Sequence, residues 1–338
     1  MLQDPQEEVG LPVISAGTFE LVPRYPQQAP PPIQRGSGMS NTPRLEGILA
    51  ALITPFTGDG SSIDEAALRS LVSRLVAAGV GGLISCGSTG EFAALSVQER
   101  KRVTEVVVGA AAHAVPVVAH TGALTTRETI ELSEHAAGVG ATAVMVVPPF
   151  YEPPGWAELL DHYVAVARAI EIPLVIYSIP SASGVRMSAE QIAELAAIPG
   201  VDFIKDSSGD AVLLTQLLQE YSDRLGIFNG LDSLTFYALA AGARGAVWGA
   251  ANFIPELTLE LYRVLAVEKD LDAARSVWAK IWPICHILDS TNYAAAVKTA
   301  CALLGIPAGP PRAPLRLLAG DARKRLAVAI ENAGLALA

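Results

Sequence analysis

The chain has 338 residues, 51% hydrophobic and 17% charged, enough for one large α/β domain with an appendage or for two domains. A formal net charge of -10 argues against nucleic acid or an anionic membrane as partner, and leaves room for a small anionic substrate at a locally positive site. Its three cysteines, Cys86, Cys285 and Cys301, are far apart, which excludes a disulfide framework or a CxxC pair and makes a reducing cytoplasm the expected setting.

Residues 1–43 are rich in proline and glutamine and show no apolar period. They read as a disordered tail, with Met39 as an alternative start. The first residues are acidic, so no signal peptide is expected. The stretch closest to a membrane span, Leu234 to Ile254, contains Arg244 and several glycines and divides better into a helix and a strand.

From Leu45 onward, apolar runs alternate with longer amphipathic segments. The runs are Ile48–Ile53, Gly82–Cys86, Pro116–His120, Ala143–Val147, Leu174–Tyr177, Val201–Ile204, Gly226–Phe228 and Gly245–Trp248. Helical periodicity fills the intervals, as in Asp64–Ala78, Val97–Ala112, Trp156–Ile170, Ser233–Ala241 and Pro255–Val267. Ser188-Ala-Glu-Gln191 carries a helix-start signature. Continuous apolar strands, each followed by a helix, imply a parallel sheet buried on both faces. Eight of them in this length favour a closed TIM (β/α)8 barrel over an open doubly wound sheet. Helical segments at Leu271–Leu288, Tyr293–Leu304 and Leu315–Leu337 follow, the last after a rigid Gly309–Pro314 linker. The expected division is therefore a tail over 1–43, a catalytic barrel over 44–268 and a helical region over 269–338.

In such barrels chemistry gathers where the strands end. The groups expected on that rim are Gly87-Ser-Thr-Gly-Glu91, Tyr151, Tyr177-Ser178, Lys205, Asn229-Gly-Leu-Asp232 and Gly249. A lysine ammonium at an apolar mouth loses hydration, which favours the neutral amine, a nucleophile toward a keto carbon. Lys205 is thus the candidate for an imine with a 2-oxo acid, a covalent electron sink that needs no other cofactor. Tyr177 is the candidate proton carrier, helped by Ser88 and Tyr151. Gly87, Ser88, Thr89 and Gly90 are candidate donors to the substrate carboxylate, and Gly230 and Gly249 let the backbone come close to it. Asp232 reads as a helix N-cap. His120, at a strand end, is a candidate for the pocket lining. No histidine or cysteine spacing points to a metal. Gly242-Ala-Arg-Gly-Ala-Val-Trp-Gly249 admits a phosphate cradle but fits close packing better.

Together, Thr54-Pro-Phe, Gly87-Ser-Thr-Gly-Glu91, Pro149-Phe-Tyr151, Tyr177-Ser-Ile-Pro180 and Ile204-Lys-Asp-Ser-Ser-Gly209 resemble the dihydrodipicolinate synthase / N-acetylneuraminate lyase family of class I, pyruvate-dependent aldolases and dehydratases. The resemblance runs from about Ile48 to Leu317. It implies that Lys205 forms the Schiff base, that Tyr177 carries protons, that Tyr151 reaches a neighbouring subunit's site and that the chain forms homodimers or homotetramers. Synthases of the family carry an arginine where this chain has Ala182, which argues against aspartate semialdehyde. Sialic acid lyases carry an Asp-Glu pair where this chain has Asp232-Ser233, and a serine and threonine where it has Gly249-Ala-Ala251, which argues against sialic acid. The spelling of Tyr177-Ser-Ile-Pro180 and Gly309–Leu315 leans toward a 4-hydroxy-2-oxoglutarate aldolase. The alternatives are a 3-deoxy-2-oxo sugar-acid dehydratase, a 4-hydroxy-tetrahydrodipicolinate synthase and, outside enzymes, a 2-oxo acid sensor. Arg186 is a candidate contact for a distal carboxylate.

Overall fold

The computed structural model describes residues 45–338; the expected tail lies outside them. In chain order the regular elements are β1 (Gly47–Ala51), α1 (Glu65–Ala78), β2 (Gly82–Ser85), α2 (Val97–Ala111), β3 (Val117–His120), α3 (Thr126–Gly138), β4 (Ala143–Val146), α4 (Trp156–Ala169), β5 (Leu174–Ser178) and the short α5 (Pro180–Ser183). Then come α6 (Ala189–Leu195), β6 (Val201–Asp206), α7 (Ala211–Glu220), β7 (Gly226–Asn229), α8 (Thr235–Ala240), β8 (Gly245–Trp248), α9 (Pro255–Tyr262), α10 (Leu271–Asp289), α11 (Tyr293–Leu303) and α12 (Gly320–Asn332). The strands form a closed barrel in sequence order, β8 pairing parallel with β1.

Strand alternation sorts the side chains. Leu49, Ile84, Val118, Met145, Val175, Tyr177, Phe203 and Phe228 share one buried cluster inside the barrel. Their strand neighbours Ile48, Leu83, Val144, Ile176 and Ile204 pack outward under the helices. Closure is stapled by Asn252, whose amide donates to the carbonyls of Ala51 and Gly249, both at 2.7 Å, and accepts the N–H of Ile53 at 3.1 Å. Gly245 is pressed against the backbone of Gly47, leaving no room for a side chain. Gly245 therefore serves the barrel wall, and Gly242 precedes β8, at the end opposite Lys205.

The start signature at Ser188 is realised: Ser188 and Gln191 cap each other's backbone at the head of α6. Three local expectations need correction. The helix expected over 233–241 opens with a tighter 3-10 turn, Asp232–Leu234, before α8. The run expected through Val267 ends as α-helix at Tyr262 and continues as π-helix over Arg263–Val267. The last helix begins at Gly320 rather than Leu315, because Leu318 N–H bonds Thr299 Oγ1 at 2.9 Å and holds the approach extended. Among the described residues no helix is long and apolar enough to cross a membrane. The C-terminal helices share a core with the barrel: Ile281, Ile284, Leu288 and Val297 belong to the same buried cluster as Ile53, Leu68 and Trp248.

Candidate active site

Lys205 is the fifth residue of β6 and stands beside Tyr177 of β5 in the sheet register. Both point inward by alternation, and both are buried, at 5% and 2% exposure. The Lys205 Nζ lies 4.0 Å from the centre of the Tyr177 ring. The aromatic face covers the amine and keeps it inside the barrel. On the other flank, Gly230 provides the space: a Cβ there would lie 2.5 Å from Lys205 Cε and would also strike Ser207 Oγ. Ser207 Oγ donates to the Gly230 carbonyl at 2.9 Å, so the β6 and β7 ends are locked around the lysine stem.

The hydroxyl of Tyr177 comes 3.4 Å from Ser88 Oγ, which links β5 to the glycine-bounded turn after β2. Gly90 uses its own polar groups on that turn: its N–H bonds Gly87 C=O at 3.0 Å, and its carbonyl accepts the Thr54 hydroxyl at 2.7 Å. Ser88 is exposed at the rim and Thr89 is buried beside it. Lys205, Tyr177, Ser88, Thr89, Gly87, Gly90 and Gly230 thus gather at one mouth. Tyr151 does not join them within the chain. It is 91% exposed on the loop after β4, with φ at 77°, a left-handed conformation costly for a non-glycine residue. Gly249 is at the rim, but its N–H donates to the Tyr293 hydroxyl at 3.1 Å, and a Cβ there would lie 2.7 Å from Tyr293 Cε1.

Asp232 is not the helix N-cap expected of it: Leu231 holds that position without a side-chain bond, and Asp232 accepts the Tyr293 hydroxyl at 2.7 Å. Burial, reinforced by the charge of Asp289, pushes its carboxyl well above the usual range. Asp206 is raised too, by burial, against the two bonds it accepts from Ser208. His120 faces the interior, its ring 6.0 Å from that of Tyr177. Nδ1 faces the Cys86 carbonyl at 2.9 Å, and burial, then the Arg100 charge, holds the imidazole well below its usual value, hence neutral. Cys86 is packed and inert, its thiol pushed up to about 11 by burial. Arg186 is exposed, on the wall of a cavity of about 340 Å³ between the β5 end and the heads of α6 and α7.

Sequence reasoning assigned no role to Tyr293 or Lys298. Lys298 pairs with Glu91 at 2.7 Å, with side chains 0% and 2% exposed. Its signal was legible in principle: a lone charge in Tyr293-Ala-Ala-Ala-Val-Lys-Thr-Ala-Cys-Ala-Leu303 has no solvated face to occupy.

The sequence profile of the Dihydrodipicolinate synthetase family matches residues 44–333. The chain is 37% identical over 293 residues to the 4-hydroxy-tetrahydrodipicolinate synthase of Methanopyrus kandleri, covering 86% of this chain and 97% of the relative. It is 41% identical over 288 residues to the enzyme of the same name from Thermomicrobium roseum, covering 85% and 94%. Among solved structures, the chloride-inhibited dihydrodipicolinate synthase from Acinetobacter baumannii, complexed with pyruvate, superposes with a TM-score of 0.83 at 32% identity, covering 86% of this chain and 100% of that one.

Proposed function

The chain belongs to the dihydrodipicolinate synthetase family, and from that premise we propose that Lys205 forms an imine with pyruvate and that the enamine is then joined to an aldehyde. Members of this family are class I lysine Schiff-base lyases, so the enzyme type follows from membership, and a mere 2-oxo acid sensor does not. In the proposed sequence the Lys205 amine adds to the keto carbon, and the keto oxygen leaves as water. Loss of a proton from the methyl group gives the enamine. Its carbon attacks the aldehyde carbon and the new alkoxide takes a proton; the lysine is then freed either by water, which returns an open-chain oxo acid, or by an amine of the joined aldehyde partner, which takes over the imine carbon and closes a ring. The reverse sequence cleaves the same bond.

Tyr177 is assigned the proton transfers, with Ser88 as its relay and Tyr151 of a neighbouring subunit closing it. Thr89 and the Gly87–Gly90 turn hold the carboxylate, and Gly230 and Gly249 line the approach. The proposed enzyme works as a cytoplasmic homodimer or homotetramer with no cofactor beyond the covalent imine. The observation that carries this reading is the Lys205 amine over the Tyr177 ring, with the Tyr177 hydroxyl turned to Ser88.

The lean toward 4-hydroxy-2-oxoglutarate cleavage finds no support among the named relatives, whereas 4-hydroxy-tetrahydrodipicolinate synthesis does. Synthesis with aspartate semialdehyde is therefore the leading reaction. A second reading rests on Ala182, exposed on α5, which offers a methyl group where the family's synthases carry an arginine. It keeps the pyruvate half and replaces the aldehyde.

Borohydride reduction with pyruvate, followed by peptide mass mapping, is expected to place a pyruvyl adduct on Lys205 and none on Lys205→Ala. Tyr177→Phe is expected to keep slow adduct formation while turnover falls about 10²- to 10⁴-fold. Assays with aspartate semialdehyde and with hydroxyaldehydes separate the two readings. Full turnover by Lys205→Ala would end the proposal.

A further inference from the structure

Glu91 follows directly on the Gly87–Gly90 turn, and its backbone is left-handed, with φ at 57°. A non-glycine residue holds that conformation only where its surroundings enforce it. Here the C-terminal region enforces it. One carboxylate oxygen of Glu91 meets Lys298 Nζ of α11 at 2.7 Å; the other accepts the Arg312 N–H at 2.9 Å. Lys298 also donates to the Pro310 carbonyl at 3.0 Å and sits 4.0 Å over the Phe56 ring. The Arg312 guanidinium lies 4.5 Å from the same ring and anchors its segment to Glu99 at 2.5 Å. One residue earlier, the Gly90 carbonyl takes the Thr54 hydroxyl. The turn is thus gripped from the barrel through Thr54 and from outside through Glu91.

A buried ion pair is seldom needed for stability, since apolar groups of equal volume serve as well. What charges add is direction: with one carboxylate oxygen taking the Arg312 N–H and the other facing the Lys298 ammonium, the rotation of Glu91 is set, and with it the residues before it. We propose that Lys298 is a positioning residue: through Glu91 it sets where Ser88 and Thr89 stand relative to Lys205, and so how well the site holds the carboxylate of its 2-oxo acid. The proposal rests on the reading of the 87–90 turn as the carboxylate holder.

The test uses the full chain with pyruvate as probe. In the double variant Glu91→Gln, Lys298→Met no unpaired buried charge remains. Its KM for pyruvate is expected to rise roughly ten- to hundredfold, because a small misplacement of binding groups suffices for that. Turnover, which also depends on the Ser88 relay, is expected to fall by less than KM rises, and complete borohydride trapping on Lys205 at saturating pyruvate to persist. Lys298→Arg, which restores a cation, is expected to recover part of the affinity. Where the double variant does not fold, Glu91→Asp, which keeps the charge but shortens its reach, is read in the same way. A folded variant with an unchanged KM, or a fall in turnover without a change in KM, overturns the proposal. A wild-type chain that forms no pyruvate adduct overturns the functional reading instead, and this proposal falls with it.

Discussion

At Asp232, burial and the neighbouring Asp289 charge favour the protonated acid, and the Tyr293 hydroxyl opposes them. The unfolded carboxyl ionises near the ordinary 3.8, whereas the folded one keeps its proton to higher pH. Above that ordinary value the unfolded state binds fewer protons, so stability falls as pH rises toward the folded value. Asp289 adds to the same trend, being raised by burial. Asp232→Asn retains an acceptor for Tyr293 and removes this penalty. Urea midpoints of wild type and variant are expected to agree below pH 4 and to diverge in the variant's favour toward pH 7. Parallel curves across that range would refute it. The carboxyl's partner was not legible in the sequence, since Tyr293 lies 61 positions away and only the fold brings it to Asp232.

The strands were the legible elements. Each is a predominantly apolar run, broken in β6 only by Asp202, and the observed β8 has the expected ends. Lys205 and Tyr177 were legible for the same reason: a polar residue at the end of such a run must face either the interior or the rim. The helix boundaries were less so, because contacts distant in sequence set them. Asp289 takes both the N–H and the hydroxyl of Ser233 at the start of the 3-10 turn. Thr299 likewise holds Leu318 out of the last helix. Gly230 at the β7 end gives the sharpest element-level prediction. In Gly230→Ala the new methyl crowds Lys205 Cε and Ser207 Oγ, so either the strand end or the lysine must shift. Adduct formation with pyruvate is expected to slow at least about tenfold, with secondary structure by circular dichroism retained. A wild-type trapping rate would show that the β7 end yields freely.

At the scale of the whole molecule, the C-terminal helices complete the barrel's core. A chain ended at Val267 would open the buried cluster that α10 and α11 complete, and would bare Trp248, whose ring now lies 6.4 Å from that of Trp278 on α10. It would also leave Glu91 without Lys298 and Arg312. Removing one partner of a buried ion pair alone costs about 3–5 kcal/mol, against a total stability of about 5–15 kcal/mol for a folded protein. The truncated chain is therefore expected to lack a cooperative urea transition. A sharp transition at the full-length midpoint would show that the barrel stands alone.

The pairing of β1 with β8 also has a bearing on biosynthesis. A ribosome releases the first strand long before its final neighbour exists, so the nascent sheet carries two bare edges through most of translation. Such edges invite pairing with other chains. The Asn252 staple and the latch on Glu91 arrive later still. Until the last helices emerge, those open edges are where the growing polypeptide is exposed to its neighbours.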